Sequence, residues 1–424
     1  MKPIELKQKL AGGGLSIYKN LYDNIEKETE RFIKAIDSFV SLYGEDRDIE
    51  IFSVPGRSEI SGNHTDHNAG CVLAGAINRD IISVVSKNSE GVIRFNSEGY
   101  PEDAVYIKNT VSPENFKKYS SESLIAGMVN GFAKSGYSVG GYDAYSTSQV
   151  LKGSGISSSA AYEVMIGNIL NHLYNSGNVS NYDIAKLARY AENEYFGKPC
   201  GLMDQMACAV GGFVFIDFEN ADDAFVEPIE FSLSEHGYSL CIVNTGGNHA
   251  DLNDDYAAIP GEMKSIAKLL GRDVLRGLTE KDIVKNINNL RRLVGDRAIL
   301  RAIHFMRENE RVIKIKEALE KSNVELFLHG VSESGRSSFE FLQNVYSNIN
   351  VKEQGLSLAL ALTEGFLDGE KFACRVHGGG FAGTVQVFLK SEAAAPYAKY
   401  MESIFGENAA TVLNIRPFGA CKLF

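Results

Sequence analysis

A run of small residues from Lys152 to Ala161 has the composition of a phosphate-binding loop. It reads Lys-Gly-Ser-Gly-Ile-Ser-Ser-Ser-Ala-Ala, so a glycine-rich turn and three hydroxyl residues precede an apolar helical segment. Glycine lets the backbone approach a bulky anion, and the N–H groups and dipole of a helix N-terminus attract negative charge. The run is neither a Walker A loop, since no Gly-Lys-Ser/Thr ends it, nor a dinucleotide fingerprint, which needs a third glycine. A serine-rich helix cap is the alternative.

A second polar segment, residues 56–68, is dense in hydrogen-bond donors and acceptors and reads Gly-Arg-Ser-Glu-Ile-Ser-Gly-Asn-His-Thr-Asp-His-Asn. Such density suits a polyhydroxylated ligand, because each sugar hydroxyl both donates and accepts. His64, Asp66 and His67 could instead bind a metal. A turn held by local hydrogen bonds is a further alternative.

A third segment, residues 192–205, combines carboxylates with a Pro/Gly loop. We expect a helix to end at Gly197 and the loop to present Asp204 among small and apolar residues. A partly desolvated carboxylate can accept a hydroxyl proton, and another carboxylate one helical turn away can hold Mg²⁺. Alternatively, Glu192 and Glu194 are surface charges.

The string from Gly136 to Gly140 matches the GxSxG pattern of hydrolase nucleophile elbows. That elbow requires a strand before the serine and a helix after it. The sequence predicts a helix before and an extended segment after, so we interpret the string as a loop.

The elements that must position these segments mix helices and strands without regular alternation. Helices are predicted over residues 15–43, 124–133, 157–174, 181–196 and across 262–342; strands or extended segments are predicted over 49–55, 71–96, 142–150, 238–243, 384–389 and 411–415. Pro55 is expected to end the first strand. The charged faces of residues 307–321 are expected to be solvated. We place a domain boundary between about 210 and 240, giving domains 1–225 and 226–424.

The composition excludes several classes of protein. The chain has 424 residues, 44% of them hydrophobic and 23% charged, as in ordinary folded proteins. A net charge of −11 argues against nucleic acid and anionic membranes as partners. The six cysteines form no CxxC pair, and we find neither a signal peptide nor an apolar run of about 18 residues. We therefore expect a cytoplasmic protein. As a separate expectation, we take it to be a monomer or a weak homodimer.

Together and in this order, the three segments and a fourth, residues 375–383, resemble the GHMP small-molecule kinases and, among them, the galactokinase family. Pro55-Gly56-Arg57 with the pattern of residues 62–70 is similar to the galactokinase signature. Residues 153–160 are similar to the family's ATP loop, residues 200–205 to its catalytic loop, and Arg-Val-His-Gly-Gly-Gly-Phe-Ala-Gly at 375–383 to its third motif.

The resemblance implies an α+β, two-domain GHMP kinase-like fold with the active site in the inter-domain cleft. It implies a sugar 1-kinase that uses ATP and Mg²⁺, with Asp204 as the catalytic carboxylate and Arg57 stabilising the transferring phosphoryl group. ATP would be bound by Gly153, Ser154, Gly155, Ile156, Ser157, Ser158 and Ser159; Mg²⁺ would be held by Ser159 and Glu192; the sugar would be contacted by Asn63, His64, Asp66, Gly201 and Tyr256. A physical argument agrees, because phosphoryl transfer needs positioning and charge neutralisation more than covalent chemistry.

The chain departs from the family pattern at several positions. Galactokinases usually have Asn where this chain has Glu59, Glu where it has Asn63, and Tyr where it has His67. The segment after Tyr256, Ala-Ala-Ile-Pro, also replaces a basic pair. In the family, the carboxylate at the position of Asn63 accepts a hydrogen bond from the hydroxyl on carbon 6 of the sugar. An uncharged Asn63 would tolerate a carboxylate at that carbon. D-galactose is thus the first expectation, with a C6-variant sugar such as galacturonate or L-arabinose, or a non-catalytic sugar-binding or regulatory homologue, as alternatives.

Overall fold

A computed structural model describes residues 1–150, 155–220, 223–247, 252–349 and 351–424, without the side chain of Asn253. Within these ranges the chain forms two compact units. Unit 1 comprises residues 1–57, 76–212 and 416–424, and unit 2 comprises residues 58–75 and 213–415. Each unit is assembled from separated parts of the chain, and the predicted continuous domains 1–225 and 226–424 stay a prediction.

Unit 1 combines a twisted sheet with helices on both faces. Its helices are α1 (Pro3–Ala11), α2 (Ile25–Tyr43), α3 (Ser121–Lys134), α4 (Ser158–Tyr174), α5 (Asn181–Tyr190) and α6 (Met203–Val210), and a π-helical turn spans Ala191–Phe196. Its strands are β1 (Glu50–Ser61), β2 (Cys71–Lys87), β3 (Val92–Ser97), β4 (Asp103–Tyr106), β5 (Tyr142–Ser148) and β12 (Cys421–Lys422), with β1 and β2 each continuing into unit 2. The strand order is β12-β1-β2-β5-β3-β4.

The alternation of side chains along β1 explains why both faces of this sheet are covered. Ile51 packs into the core formed with α1 and α2, whereas the ring of Phe52 lies against His172 of α4. Successive strand residues point to opposite faces, so a strand with helices on both sides is buried almost throughout.

Unit 2 contains a second, four-stranded sheet and a group of helices. The sheet has the order β11-β8-β10-β9, and the Cys71–Gly75 end of β2 pairs with β6, which pairs with β7. The strands are β6 (Phe213–Asp217), β7 (Phe225–Ile229), β8 (Tyr238–Asn244), β9 (Ala373–His377), β10 (Thr384–Lys390) and β11 (Ala410–Leu413). The helices are α7 (Asn253–Leu269), α8 (Glu280–Lys285), α9 (Ile287–Glu320), α10 (Val324–Ser337), α11 (Gly355–Phe366) and α12 (Ser391–Phe405), with a π-helical turn at Ser338–Leu342.

A buried polar network in unit 1 involves residues far apart in sequence. Arg416 donates from Nη1 to Ser53 Oγ at 2.8 Å and to Asp80 Oδ2 at 3.2 Å. Asp80 also accepts from Arg31 and Tyr22, both at 2.8 Å. Both Arg416 and Asp80 are essentially inaccessible to solvent, so the network satisfies charges that would otherwise be costly to bury. Arg416 therefore anchors residues 416–424 to the core of unit 1.

Several predicted elements are confirmed and others are corrected. The helices at 124–133 and 157–174 and the strand at 238–243 are confirmed, and residues 136–140 form a loop between helix and strand, as predicted. The prediction that Pro55 ends the first strand is wrong, because β1 runs to Ser61. On the β12 side the pairing of β1 covers Phe52 and Ser53, so Pro55, which lacks an N–H, lies beyond that pairing. The helix predicted from residue 15 begins only at Ile25, where Asn24 caps it.

Candidate active site

The phosphate-loop segment leads into α4 through an unusual backbone conformation. Ser157 precedes the helix with φ 60° and ψ 58°, a left-handed conformation that costs a non-glycine residue about 1 kcal/mol or more. Its side chain does not cap the helix; instead Oγ donates to Asp204 Oδ2 at 2.6 Å. The predicted ATP-binding residues Gly153 and Ser154 lie outside the described residues. The Ser157 side chain therefore contacts a carboxylate instead of capping the helix, so the helix-cap alternative is wrong for this residue.

Arg57 joins the loop to the same carboxylate. Its Nε donates to Asp204 Oδ1 at 2.7 Å and its Nη2 to Oδ2 at 3.0 Å, while Nη1 donates to the Gly155 carbonyl at 2.7 Å. The main-chain N–H of Arg57 donates to the Ile156 carbonyl at 3.2 Å. A Cβ on Gly56 would lie 2.7 Å from that carbonyl, so glycine is required for this close approach. We call Arg57, Gly155, Ser157 and Asp204 the Asp204 cluster.

Asp204 lies in the first turn of α6 and not in a loop, which corrects the sequence prediction. The dipole at a helix N-terminus stabilises a carboxylate there. Burial raises the pKa of Asp204, but the Arg57 charge and the hydrogen bonds from Arg57 and Ser157 outweigh that effect and lower the pKa below its ordinary value. About a third of the side chain, 35%, remains exposed. Asp204 is therefore an ionised and accessible acceptor at neutral pH.

A second acidic group in unit 1 surrounds Glu192. Gln205 Nε2 donates to Glu192 Oε2 at 2.7 Å and to Glu163 Oε2 at 3.2 Å, and Lys198 Nζ lies 3.3 Å from Glu192 Oε1. Burial, followed by the nearby Glu192 charge, raises the pKa of Glu163 well above its ordinary value. Glu192 is 2% exposed, so it is not the surface charge of the alternative interpretation. We call these four residues the Glu192 cluster.

Sequence reasoning missed Glu163 and Gln205. A signal for Glu163 was present, because it is the only charged residue in the largely apolar stretch from Ala160 to Leu170. Helix α4 packs against α6, which places the glutamate next to Gln205. A buried carboxylate needs a partner, and that requirement marks the position.

In unit 2, the loop of residues 62–70, which we call the Asn63 loop, is held by several side chains. Asn63 Nδ2 donates to Glu59 Oε1 and to the Gly378 carbonyl, both at 2.8 Å. His64 is in the left-handed conformation, with φ 59°, and its Nε2 lies 3.0 Å from the Gly379 carbonyl. Burial lowers the pKa of His64 to about 4, so its imidazole is neutral at pH 7. The loop is thereby fixed against residues 378–380.

The carbonyl groups of residues 378–380 all accept hydrogen bonds from side chains. Gly378 accepts from Asn63, Gly379 from Asn344 at 3.1 Å, and Gly380 from the Tyr256 hydroxyl at 2.7 Å. A Cβ on Gly379 would lie 2.5 Å from the Tyr256 ring, so this contact requires glycine. Tyr256 and the Asn63 loop, two predicted sugar-binding elements, therefore hold the same three-residue segment.

Helix α9 holds the other side of the Asn63 loop, which sequence reasoning did not predict. His304 Nε2 lies 3.0 Å from the Asn63 carbonyl, Glu308 Oε1 accepts from the Gly62 N–H at 2.9 Å, and Asn309 Oδ1 accepts from the Cys71 N–H at 2.7 Å. The spacing i, i+4, i+5 puts the three side chains on one face of the helix. Glu308 is fully buried, so the prediction that the charges of residues 307–321 are solvated is wrong at this position.

The remaining predicted residues occupy less connected positions. Asp66 begins a short 3-10 turn, and its Oδ1 lies 3.6 Å from His67 Nε2. Gly201 precedes α6 and is partly exposed. Within the described ranges, no three His, Cys, Asp or Glu side chains gather in a way that could hold a metal, so the metal alternative at His64, Asp66 and His67 has no support there. No helix in the described part of the chain is long and apolar enough to span a membrane.

Comparison with known proteins gives two matching family models. The GHMP kinases N terminal domain matches residues 123–212, and the galactokinase galactose-binding signature matches residues 37–87. These ranges contain α4 and the Asn63 loop, respectively.

Curated relatives cover most of the chain. Galactokinase from Streptomyces coelicolor is 29% identical over 375 residues, covering 87% of this chain and 92% of the relative. Galactokinase from Thermotoga maritima is 31% identical over 343 residues, covering 80% of this chain and 89% of the relative.

Solved structures share the fold. The crystal structure of Lactococcus lactis galactokinase complexed with galactose has a TM-score of 0.76 at 22% identity, covering 91% of this chain and 98% of that one. The Methanococcus jannaschii mevalonate kinase has a TM-score of 0.61 at 15% identity, covering 87% and 98% of the two chains. The α+β, GHMP kinase-like fold predicted from the motifs is confirmed, and the chain belongs to the galactokinase family of GHMP kinases and is a sugar kinase of the phosphotransferase class.

Proposed function

We propose that the chain transfers the γ-phosphoryl group of ATP to the anomeric hydroxyl of D-galactose, with Mg²⁺ as the metal. The relatives that cover most of the chain are galactokinases, the galactose-binding signature matches residues 37–87, and the Lactococcus lactis galactokinase structure is a complex with galactose. These findings support galactose as the acceptor.

The observation that carries the proposal is the contact between the phosphate-loop segment and the catalytic carboxylate. Ser157 Oγ lies 2.6 Å from Asp204 Oδ2, and Arg57 contacts both Asp204 and the Gly155 carbonyl. A phosphate held by the turn before α4 would therefore lie beside an ionised carboxylate and a guanidinium group. This arrangement supplies the positioning and charge neutralisation on which phosphoryl transfer depends.

Each member of the Asp204 cluster has a defined task in this proposal. Asp204, whose lowered pKa keeps it ionised, orients the acceptor hydroxyl and receives its proton. Arg57 stabilises the charge on the transferring phosphoryl group, and one such interaction contributes about 3 kcal/mol in preorganised sites. The segment of residues 153–159 binds the phosphates of ATP through its N–H groups and hydroxyls.

The residues proposed for Mg²⁺ fit a hard cation. Ser159 and Glu192 offer oxygen ligands, the type that Mg²⁺ prefers. Beside Glu192, Glu163 Oε1 and Gln205 Oε1 are buried and have no hydrogen-bond partner among the described residues. Unsatisfied buried oxygens next to a carboxylate are consistent with a cation in this cluster. When bound, Mg²⁺ would neutralise charge on the phosphates of ATP.

Of the residues that the resemblance assigns to the sugar, we propose His64, Asp66, Gly201 and Tyr256 as contacts, with Asn63 holding its loop against the Gly378 carbonyl. His64 presents a neutral imidazole, because burial lowers its pKa. Tyr256 reaches the Gly380 carbonyl through its hydroxyl, so it acts at least partly by fixing residues 378–380. We further propose that the chain acts in the cytoplasm without nucleic-acid or membrane partners. We also propose that it is a monomer or a weak homodimer, and sedimentation of the purified chain tests this oligomeric state.

The test is ADP release from ATP and Mg²⁺ with a panel of galactose, galacturonate, L-arabinose and N-acetylgalactosamine. We expect galactose to be the best substrate. Asp204→Asn should abolish ADP release and leave nucleotide binding within several-fold, because it removes the ionised acceptor but keeps the shape. Glu194→Gln, a change at an exposed glutamate near Glu192, serves as the control and should retain activity. Unchanged turnover by Asp204→Asn would remove Asp204 from its role, and no turnover of any sugar would refute the kinase proposal.

A further inference from the structure

Glu59 and Asn63 are direct partners within unit 2. Asn63 Nδ2 donates to Glu59 Oε1 at 2.8 Å, and the two residues are only 6% and 1% exposed. These are also two of the positions at which the chain departs from the galactokinase pattern, where Asn stands at the first and Glu at the second. The pair thus contains the same amide and the same carboxylate, with the positions exchanged. The amide missing at position 59 is therefore present at position 63, and the carboxylate missing at position 63 is present at position 59.

The contacts of Asn63 show that its amide is fully used for support. Both of its donors are engaged, by Glu59 and by the Gly378 carbonyl. Its Oδ1 accepts from Asn344 at 2.7 Å and from Ser338 at 3.4 Å. A side-chain amide offers two donors and two acceptor positions, so Asn63 is saturated by the protein. Asn63 therefore fixes the Asn63 loop, and its side chain does not replace the carboxylate that accepts from the sugar in the family.

Glu59 has the properties of a fixed anionic acceptor. Its Oε1 lies 3.3 Å from Nη2 of Arg375, whose side chain is fully buried. Arg375 Nη1 is itself held by the Ile60 carbonyl at 2.9 Å. A buried guanidinium and an amide donor are the partners that a buried carboxylate needs. The carboxylate absent from position 63 is therefore present four residues earlier, in contact with position 63.

We propose that Glu59 supplies the carboxylate of the sugar site and that Asn63 is its positioning residue. Resting on the proposed function, this assignment names the acceptor class: the site selects a sugar with a hydroxyl at carbon 6 and rejects one with a carboxylate there. A fixed carboxylate accepts a hydrogen bond from a hydroxyl, whereas a second carboxylate brings like-charge repulsion and leaves the first unpaired. Hence the tolerance of galacturonate expected from an uncharged Asn63 does not follow.

The exchange is tested with the single variants Glu59→Asn and Asn63→Glu and with the double variant that carries both. Calorimetry measures galactose binding without nucleotide, and ADP release measures turnover. We expect Glu59→Asn to weaken galactose binding at least about 10-fold while the KM for ATP changes less than about 2-fold. Asn63→Glu places two carboxylates in contact and should weaken binding at least as much. The double variant should recover to within about 5-fold of the unmodified chain, because it restores one amide and one carboxylate.

Two further measurements keep the test decisive if Asn63→Glu does not fold. Glu59→Gln, nearly identical in shape, should reduce the preference for galactose over galacturonate at least about 10-fold. Glu310→Gln, at an exposed glutamate of the same unit, should leave binding unchanged. Turnover of galacturonate by the unmodified chain within about 10-fold of galactose would overturn the proposal, as would a double variant no better than the worse single one. If the recovery appears in binding while no variant releases ADP, the kinase proposal fails and the exchange stands; if the unmodified chain does not bind galactose, both fail.

Discussion

Replacing Glu308 tests how α9 fixes the Asn63 loop. The buried carboxylate accepts from the Gly62 N–H at 2.9 Å and from Ser334 Oγ at 2.5 Å, and it pairs with Arg311. Glu308→Gln keeps an acceptor of the same shape but removes the charge that Arg311 pairs with. Glu308→Ala leaves the N–H, the hydroxyl and the cation without this partner.

Two routes give a similar magnitude for this loss. Burial raises the pKa of Glu308, but the charges of Arg311, His304 and Arg375 and the Ser334 hydrogen bond outweigh it and lower the pKa from 4.5 to about 2. That shift corresponds to about 3 kcal/mol of folding free energy. Breaking one side of a buried ion pair independently costs about 3–5 kcal/mol. We therefore expect Glu308→Gln to lower the free energy of unfolding by about 2–3 kcal/mol and Glu308→Ala by about 3–5 kcal/mol.

The pH dependence has a definite sign. Because the folded-state pKa is lower than that of the unfolded chain, the stabilisation is complete above the unfolded pKa and is lost as pH falls toward about 2. It should be about 3 kcal/mol at pH 7, about 2.5 kcal/mol at pH 4 and about 1.4 kcal/mol at pH 3.

Urea unfolding at these three pH values measures the difference between the unmodified chain and Glu308→Gln. Glu310→Gln, an exposed position two residues along the same helix, is the matched control and should change the free energy of unfolding by less than about 0.5 kcal/mol. In Glu308→Ala we also expect the KM for galactose to rise several-fold with the KM for ATP unchanged. A difference below about 1 kcal/mol at pH 7, or one that does not shrink toward pH 3, would refute the reasoning.

Three further outcomes are expected. Arg57→Lys should lower kcat about 100-fold or more with nucleotide binding within several-fold, because lysine cannot replace the two-point contact with Asp204; near-normal kcat in a steady-state assay would contradict this role. Tyr256→Phe removes the hydroxyl that donates a hydrogen bond to the Gly380 carbonyl and should raise the KM for galactose about 3- to 10-fold. A change in the KM for ATP alone would contradict this role of Tyr256. Since burial lowers the pKa of His64 to about 4, its imidazole stays neutral from pH 6 to 8, and galactose binding measured by calorimetry should show no step from this group in that range. At lower pH the unfolded chain takes up this proton first, so His64 should reduce stability progressively below about pH 6.5.

The sequence predicted α4 well because its apolar residues follow helical spacing. Ala161, Met165, Ile169 and Leu173 recur every four residues and are all buried. By contrast, α6 spans only eight residues, and those from Gln205 to Ala209 are all buried. A helix buried on all sides has no polar face from which periodicity can be recognised, so the sequence pattern predicts a loop at Asp204.

The motifs predicted the candidate site residues, but the contacts between them depend on distant parts of the chain. Glu308 is separated from Gly62 by 246 residues, so its local sequence, rich in charges, gave no sign of burial. In the sequence, Glu59 and Asn63 are two separate departures from the family pattern, because a pattern does not show that the end of β1 and the following turn bring their side chains into contact. Gly153 and Ser154 lie outside the described residues, and their role stays a prediction.

The pairing of β12 with β1 has a consequence for biosynthesis. Arg416 bonds to Ser53 across 363 positions, and at roughly 5–20 residues per second a ribosome needs about 20–70 s to add that length. During this interval the edge of β1 has no neighbour on the β12 side, and Asp80 has only one of its two guanidinium partners, Arg31. An unpaired strand edge can pair with other chains. The nascent chain therefore exposes an unpaired strand edge while these residues are being added, and binding by a chaperone would protect it most in that interval.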